Sequence, residues 1–195
     1  MISYISIDLS KDADPKTWNL TPEGVAHALA RTCRYAGNTR EHYSTAEHSW
    51  LLASWVLHAA PQRDLGKGRR RKKVALEVLV HDAVEALIGD ISWPTLKLLG
   101  YDAYKERTEH LEPLLRKELG LVPKPSKELQ ELVHHFDRCI VGDEICSPLL
   151  FADTAEASGQ TTFGWSRLHV TVNAWPYETA RDKWLELWYQ LTTKR

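Results

Sequence analysis

The chain has 195 residues, 43% of them hydrophobic, and its 25 basic and 26 acidic side chains leave a formal net charge of -1. That length can enclose one continuous core, and the balanced charge excludes a general attraction to nucleic acid or an anionic membrane, so any grip on an anionic ligand must be local. No apolar run reaches a membrane span, Met1-Ile2-Ser3-Tyr4 has no basic lead into an apolar segment, and Cys33, Cys139 and Cys146 form no CxxC pair, which predicts a cytoplasmic protein with reduced thiols and no zinc finger.

Ile2, Tyr4, Ile5, Ile7 and Leu9 alternate loosely, predicting a short extended arm to about Ser10, and Asp12 to Thr17 reads as a loop. Thr21-Pro22-Glu23 starts a helix, with Thr21 as cap and Val25, Ala26, Leu29 and Ala30 as its buried stripe. Gly37 and Asn38 mark the end of that helical stretch and a connection. Ser44-Thr45-Ala46-Glu47 is a capping box, in which Ser44 and Glu47 each satisfy a free backbone N–H of the next helix. His48 follows at once and shares a face with Leu51, Leu52, Trp55 and Val56, so it points inward.

The run Arg69-Arg70-Arg71-Lys72-Lys73 has no interleaved aromatic residue for base stacking, and a solvated loop before a helix is expected there. The helix expected next, Val74 to Ile88, carries His81 and Asp82 side by side in an apolar run, with Glu85 within one turn. Unpartnered charges in apolar surroundings cost several kcal/mol, roughly, so they are normally paired or bound to metal. On a helix His81, Asp82 and Glu85 lean toward one spot. Gly89 to Pro94 ends this helix in a turn that adds Asp90 and Trp93, with Lys97 just beyond.

Helices are further expected over Tyr101–Leu119 and, from a start at Ser126, through Leu129, Val133, Phe136 and Ile140. The latter carries Asp137 and Asp143, six apart and on different faces, and periodicity does not choose between them. Asp153 to Gly164 reads as a mobile loop, Leu168, Val170 and Val172 as a short extended stretch, and Trp175-Pro176 as the start of a final helix with Trp184, Leu187, Trp188 and Leu191 inward. The helical spacing of these tryptophans suits packing or subunit contact better than a ligand box. Two imidazoles and two carboxylates, gathered from separate helices of an all-α single domain spanning 1–195, make a nitrogen and oxygen site for a divalent ion with positions left for water and substrate.

His48, His81-Asp82 and Asp137 resemble the H...HD...D signature of the HD-domain metal-dependent phosphohydrolases. The flanks carry the specificity: Tyr43-Ser44-Thr45-Ala46-Glu47-His48-Ser49, the stretch from His81 to Asp90, Pro94 and Lys97, and Cys33-Arg34-Tyr35-Ala36-Gly37. These are similar to the YfbR-like branch, with its deoxynucleoside 5'-monophosphatases and compact phage enzymes that hydrolyse deoxynucleoside triphosphates, over roughly residues 20 to 150. Asn38 departs from the histidine of many relatives, with His42 nearby.

The resemblance implies an HD-type helical bundle with His48, His81, Asp82 and Asp137 as metal ligands. Asp137 is preferred because the family's last ligand precedes a glutamate by seven residues, as Asp137 precedes Glu144; Asp143 is then a supporting residue. It implies one Zn, Co, Mn or Mg ion, with room for a second, and water activation and proton handling by Glu85 and Asp90. Arg34 and Lys97 are the expected phosphate contacts, and Tyr35 and Trp93 the walls for a base or sugar. The expected activity is a deoxynucleoside triphosphate triphosphohydrolase, slightly ahead of a 5'-monophosphatase; a cyclic-nucleotide phosphodiesterase and a non-catalytic nucleotide-binding module are weaker alternatives. Expected partners are a small deoxynucleotide and further copies of the chain, with no nucleic acid and no membrane.

Overall fold

The computed structural model describes Trp18, residues 20–61, Leu65, residues 68–151 and residues 166–193, except for the side chains at 93, 94, 99, 103 and 107. The expected N-terminal arm, the Asp12–Thr17 loop and the Asp153–Gly164 loop lie outside the described residues. Among the described residues the architecture is all-α, with no strand beyond an isolated antiparallel bridge between Cys33 and Ser44.

Helix α1 (Pro22–Arg31) starts as the sequence predicts, with Thr21 Oγ1 accepting the Gly24 N–H at 3.1 Å and the stripe Val25, Ala26, Leu29 and Ala30 fully buried. It ends before the glycine and asparagine expected to stop it. Residues 32–34 pair with residues 43–45, through Arg34 N–H to the Tyr43 carbonyl at 2.9 Å and Thr45 N–H to the Thr32 carbonyl at 3.0 Å, which pulls the chain out of the helix. A 3-10 turn, Arg34–Gly37, follows, with Tyr35 and Ala36 at φ of 57° and 53°.

Helix α2 (Thr45–His58) is capped by Ser44, whose Oγ accepts the Glu47 N–H at 3.1 Å. The other half of the expected capping box does not form. The buried Glu47 carboxylate instead accepts the backbone N–H groups of Asn173, Ala174 and Trp175 at 2.8, 3.1 and 2.7 Å. Three charge-assisted hydrogen bonds outweigh one local contact, so Glu47 straps the C-terminal segment to α2.

Helix α3 (Arg69–Leu79) absorbs the basic run, which is therefore helix and not loop. Arg71 explains why: its guanidinium donates to the carbonyls of Val56, Leu57 and Ala60 at 3.1, 3.3 and 2.7 Å, satisfying the end of α2. The continuous helix expected from Val74 to Ile88 does not form either. It stops at Leu79, residues 80–84 make successive turns, and α4 (Glu85–Ile88) resumes briefly. The Trp184 indole N–H donates to the Leu79 carbonyl at 3.2 Å and His81 Nδ1 reaches the Val78 carbonyl at 2.6 Å. These carbonyls would otherwise receive the N–H groups of Ala83 and Asp82, so Ala83 N–H turns to Val80 instead, at 3.0 Å.

Trp93 and Pro94, expected in a turn, open α5 (Trp93–Leu99), where a proline in the first turn costs no hydrogen bond. Next come α6 (Tyr101–Glu118) and α7 (Lys127–Ile145), the latter capped by Ser126. The last helix is α8 (Tyr177–Thr192). The stretch 166–175 before it is irregular rather than a strand, and is pinned to α7 by the buried Asp143, which accepts from Arg167 Nε, Leu168 N–H and Val170 N–H at 2.9, 3.0 and 3.3 Å. Helix α8 packs on α1, α2 and α3. Trp184 is fully buried there and stacks on Trp188 with ring centroids 5.7 Å apart, so both serve internal packing and present no surface to a second copy.

Candidate metal centre

Four side chains from three elements converge: His48 from the first turn of α2, His81 and Asp82 from the broken stretch after α3, and Asp137 from the middle of α7. His48 Nε2 lies 3.4 Å from His81 Nε2 and 3.2 Å from Asp137 Oδ1. His81 Nε2 lies 3.2 Å from Asp82 Oδ2 and 3.6 Å from Asp137 Oδ1. Among the described residues, donor atoms of His48, His81 and Asp137 all fall within 4.8 Å of one another. Asp82 stands at the edge of this trio, 3.7 Å from His48 Nε2, and its Oδ2 also accepts from Arg34 at 3.3 Å.

The tautomers follow from the surroundings. His48 Nδ1 is 2.5 Å from Glu144 Oε1, and His81 Nδ1 is 2.6 Å from the Val78 carbonyl. Each imidazole therefore donates through Nδ1 and, when neutral, turns an Nε2 lone pair toward the other. Two lone pairs and two carboxylates facing one point, without a proton between them, are a donor set for a cation. Their 3.4 Å nitrogen separation matches the edge of about 3.3 Å expected for tetrahedral ligands at ~2.0 Å. Burial pushes both histidines down, but Glu144 and Asp137 raise His48, and Asp82 and Asp137 raise His81 well above the usual value. The two histidines in turn hold Asp82 down and Asp137 well down against their own burial.

Behind the trio sits Glu144, fully buried, which accepts from His48 Nδ1, from the Tyr43 hydroxyl at 2.7 Å, from the Tyr35 hydroxyl at 2.5 Å and from Arg34 at 3.4 Å. Burial pushes its carboxyl up, but Arg34, His48 and the Tyr35 hydroxyl outweigh this and hold it at about 2. Glu144 is the residue the sequence underrated. It served there as a marker for Asp137, although a spacing of seven puts both on one face of α7 two turns apart.

Of the remaining expected residues, Arg34 bridges Asp82 and Glu144, and Tyr35 joins Glu144 through its hydroxyl and Asp90 through its backbone N–H at 3.1 Å. Tyr35 is thus tied into the network. Glu85 accepts from Thr45 Oγ1 at 3.0 Å, and burial, helped by Asp82 and Asp90, pushes its carboxyl up to about 9. Asp90 is also raised, chiefly by burial. Tyr104 of α6 feels these carboxylates too: burial first and then Glu85 push its hydroxyl up to about 12. Lys97 is exposed on α5, and the side chain of Trp93 lies outside the described residues. His42 is occupied by Cys33 Sγ at 3.3 Å and the Ala30 carbonyl at 3.1 Å, and takes no place in the cluster.

A family model described as HD domain matches residues 27–190, a span that contains every residue of this centre. The uncharacterised protein YfdR of Escherichia coli is 34% identical over 99 residues, covering 51% of this chain and 47% of its own length. An uncharacterised protein of Rhodobacter capsulatus is 33% identical over 132 residues, covering 65% of this chain and 62% of its own. The matched part of the chain thus spans about half to three fifths of these curated relatives. With a two-histidine, two-aspartate cluster assembled on an all-α frame and the match running over 27–190, the chain belongs to the HD-domain metal-dependent phosphohydrolases.

Proposed function

We propose that the chain, as one domain, hydrolyses the 5'-phosphate ester of deoxynucleotides, with His48, His81, Asp82 and Asp137 holding a divalent ion. The observation that carries this is the pair of Nε2 atoms at 3.4 Å, each oriented by an Nδ1 contact and flanked by carboxylates. A bound ion supplies positive charge against the phosphoryl oxygens and lowers the pKa of water. The chain's own groups do the rest. Glu85, which keeps its proton at neutral pH, gives it to the leaving 5'-oxygen, and Asp90 receives the proton of the attacking water. Arg34 steadies Asp82 and offsets charge developing on the phosphoryl group, assisted by Lys97.

Triphosphate release and monophosphate hydrolysis break the same ester bond. The flanking motifs favour the triphosphate substrate. The charge balance favours the monophosphate, because Arg34 is already matched by Asp82 and Glu144, and Arg116 by Glu77 at 2.7 Å. A panel of deoxy- and ribonucleoside mono-, di- and triphosphates with Mn, Co, Zn or Mg, read by chromatography of products, decides. Triphosphate appearing with free deoxynucleoside supports the first substrate, and orthophosphate from monophosphates alone supports the second. If nothing turns over, and Asp82→Ala alters stability but not nucleotide processing, the hydrolase proposal is wrong.

A further inference from the structure

The centre is not equally open on all sides. His48 has no exposed side-chain surface and His81 has 12%, whereas Asp82 and Asp137 reach 21% and 28%. His81, Asp82 and Asp137 form one wall of a cavity of about 230 Å³ bounded by α3, α6 and α7. At ~30 Å³ per water this holds roughly eight waters, about the size of a nucleobase with part of its sugar.

The far wall does not suit a phosphate chain. Arg116 donates through Nη2 to Glu77 Oε2 at 2.7 Å and through Nε to the Val122 carbonyl at 2.8 Å, while Nη1 faces Glu112 at 4.0 Å. Its fork is spent on the protein. Glu77 is matched by Arg116, and Glu112 brings carboxylate oxygens to the same wall, so this side offers acceptors and no unmatched cation from Arg116 for a phosphate. Gln130 anchors its amide N–H on the Pro125 carbonyl at 3.3 Å and keeps its own carbonyl available as an acceptor.

Building on the hydrolase proposal above, we infer that this cavity seats the nucleoside portion of the substrate, and that Glu77, Glu112 and Gln130, as an acceptor-rich wall, select bases carrying an exocyclic amino group. The scissile phosphate sits at the His81, Asp82 and Asp137 end, and any further phosphates extend away from the cavity.

Gln130 and His134 line the cavity but are exposed, so large residues there fill it without disturbing the core. Titration calorimetry with free deoxyadenosine and deoxythymidine is run on the wild-type chain, Gln130→Trp and His134→Trp, alongside wild-type turnover of deoxyadenosine mono- and triphosphate with Mn, Co, Zn or Mg. The expected result is deoxyadenosine binding at least tenfold tighter than deoxythymidine, weakened about tenfold or more in both variants. Equal binding of the two nucleosides, or deoxyadenosine affinity unchanged in both folded variants, overturns the inference. Should the wild type bind deoxyadenosine in this way yet hydrolyse no phosphate ester, the hydrolase proposal fails and the cavity assignment stands.

Discussion

Replacing Glu144 with glutamine keeps the shape of the buried hub and removes its charge. In the native chain the two oxygens accept from His48 Nδ1, Tyr43, Tyr35 and Arg34. Glutamine offers one acceptor and turns an NH₂ toward donors, leaving Arg34 with Asp82 alone. The carboxyl lies at about 2 in the fold against an ordinary 4.5, a difference worth about 3 kcal/mol at ~1.4 kcal/mol per unit. The sign follows from the depressed value: this stability is present above about pH 4.5 and is lost as pH falls toward 2. Denaturant unfolding of metal-free protein should therefore show Glu144→Gln less stable by about 3 kcal/mol at pH 7, with the gap closing toward pH 2. Because Glu144 also orients His48, Mn affinity by calorimetry should fall roughly 10–100-fold. A stability gap that stays constant from pH 7 to pH 2, together with unchanged metal affinity, refutes the assignment of Glu144 as hub.

Two further predictions concern the neighbouring carboxyls. Glu85→Gln removes the proposed proton donor and should lower kcat by about 10²–10⁴-fold, read by product formation under saturating substrate. Because the Glu85 carboxyl is raised from 4.5 to about 9, its favourable contribution is full at low pH and is lost as pH rises through that window. Metal-free Glu85→Gln should accordingly gain on the wild type between pH 5 and pH 9, and a gap independent of pH counts against the raised value. Glu47→Ala strips the acceptor from three successive N–H groups and should cost roughly 3 kcal/mol. Amide exchange should quicken at residues 173–175, whereas unaltered protection there would show that the strap is held by something else.

How much of this could be read in advance depends on how local the cause is. Thr21, Ser44 and Ser126 each cap a helix within three residues of themselves, and the sequence marks all three starts. The apolar stripes of α1 and α7 are legible for the same reason, since they repeat within one turn. Glu47 shows the limit: its capping geometry depends on sequence neighbours, but its actual partners lie 126 to 128 residues away. The break after Leu79 is hidden in the same manner, because the carbonyl that would continue the helix is taken by Trp184. His81 and Asp82 are brought to the centre by this break rather than by the helical spacing that first grouped them. Asp137 and Asp143 could not be separated by periodicity, and the distinction is physical: Asp143 is consumed by Arg167 and two backbone N–H groups, while Asp137 faces the histidines.

Tyr35, in its left-handed turn, holds Asp90 with its main chain and Glu144 with its side chain. The two grips differ in how mutation can reach them. Phenylalanine at this position would remove one of the four donors to Glu144 and spare Asp90, because any residue other than proline supplies the N–H. The clamp on Asp90 belongs to the path of the backbone, so single substitutions can retune the hub behind His48 while Asp90 keeps its place.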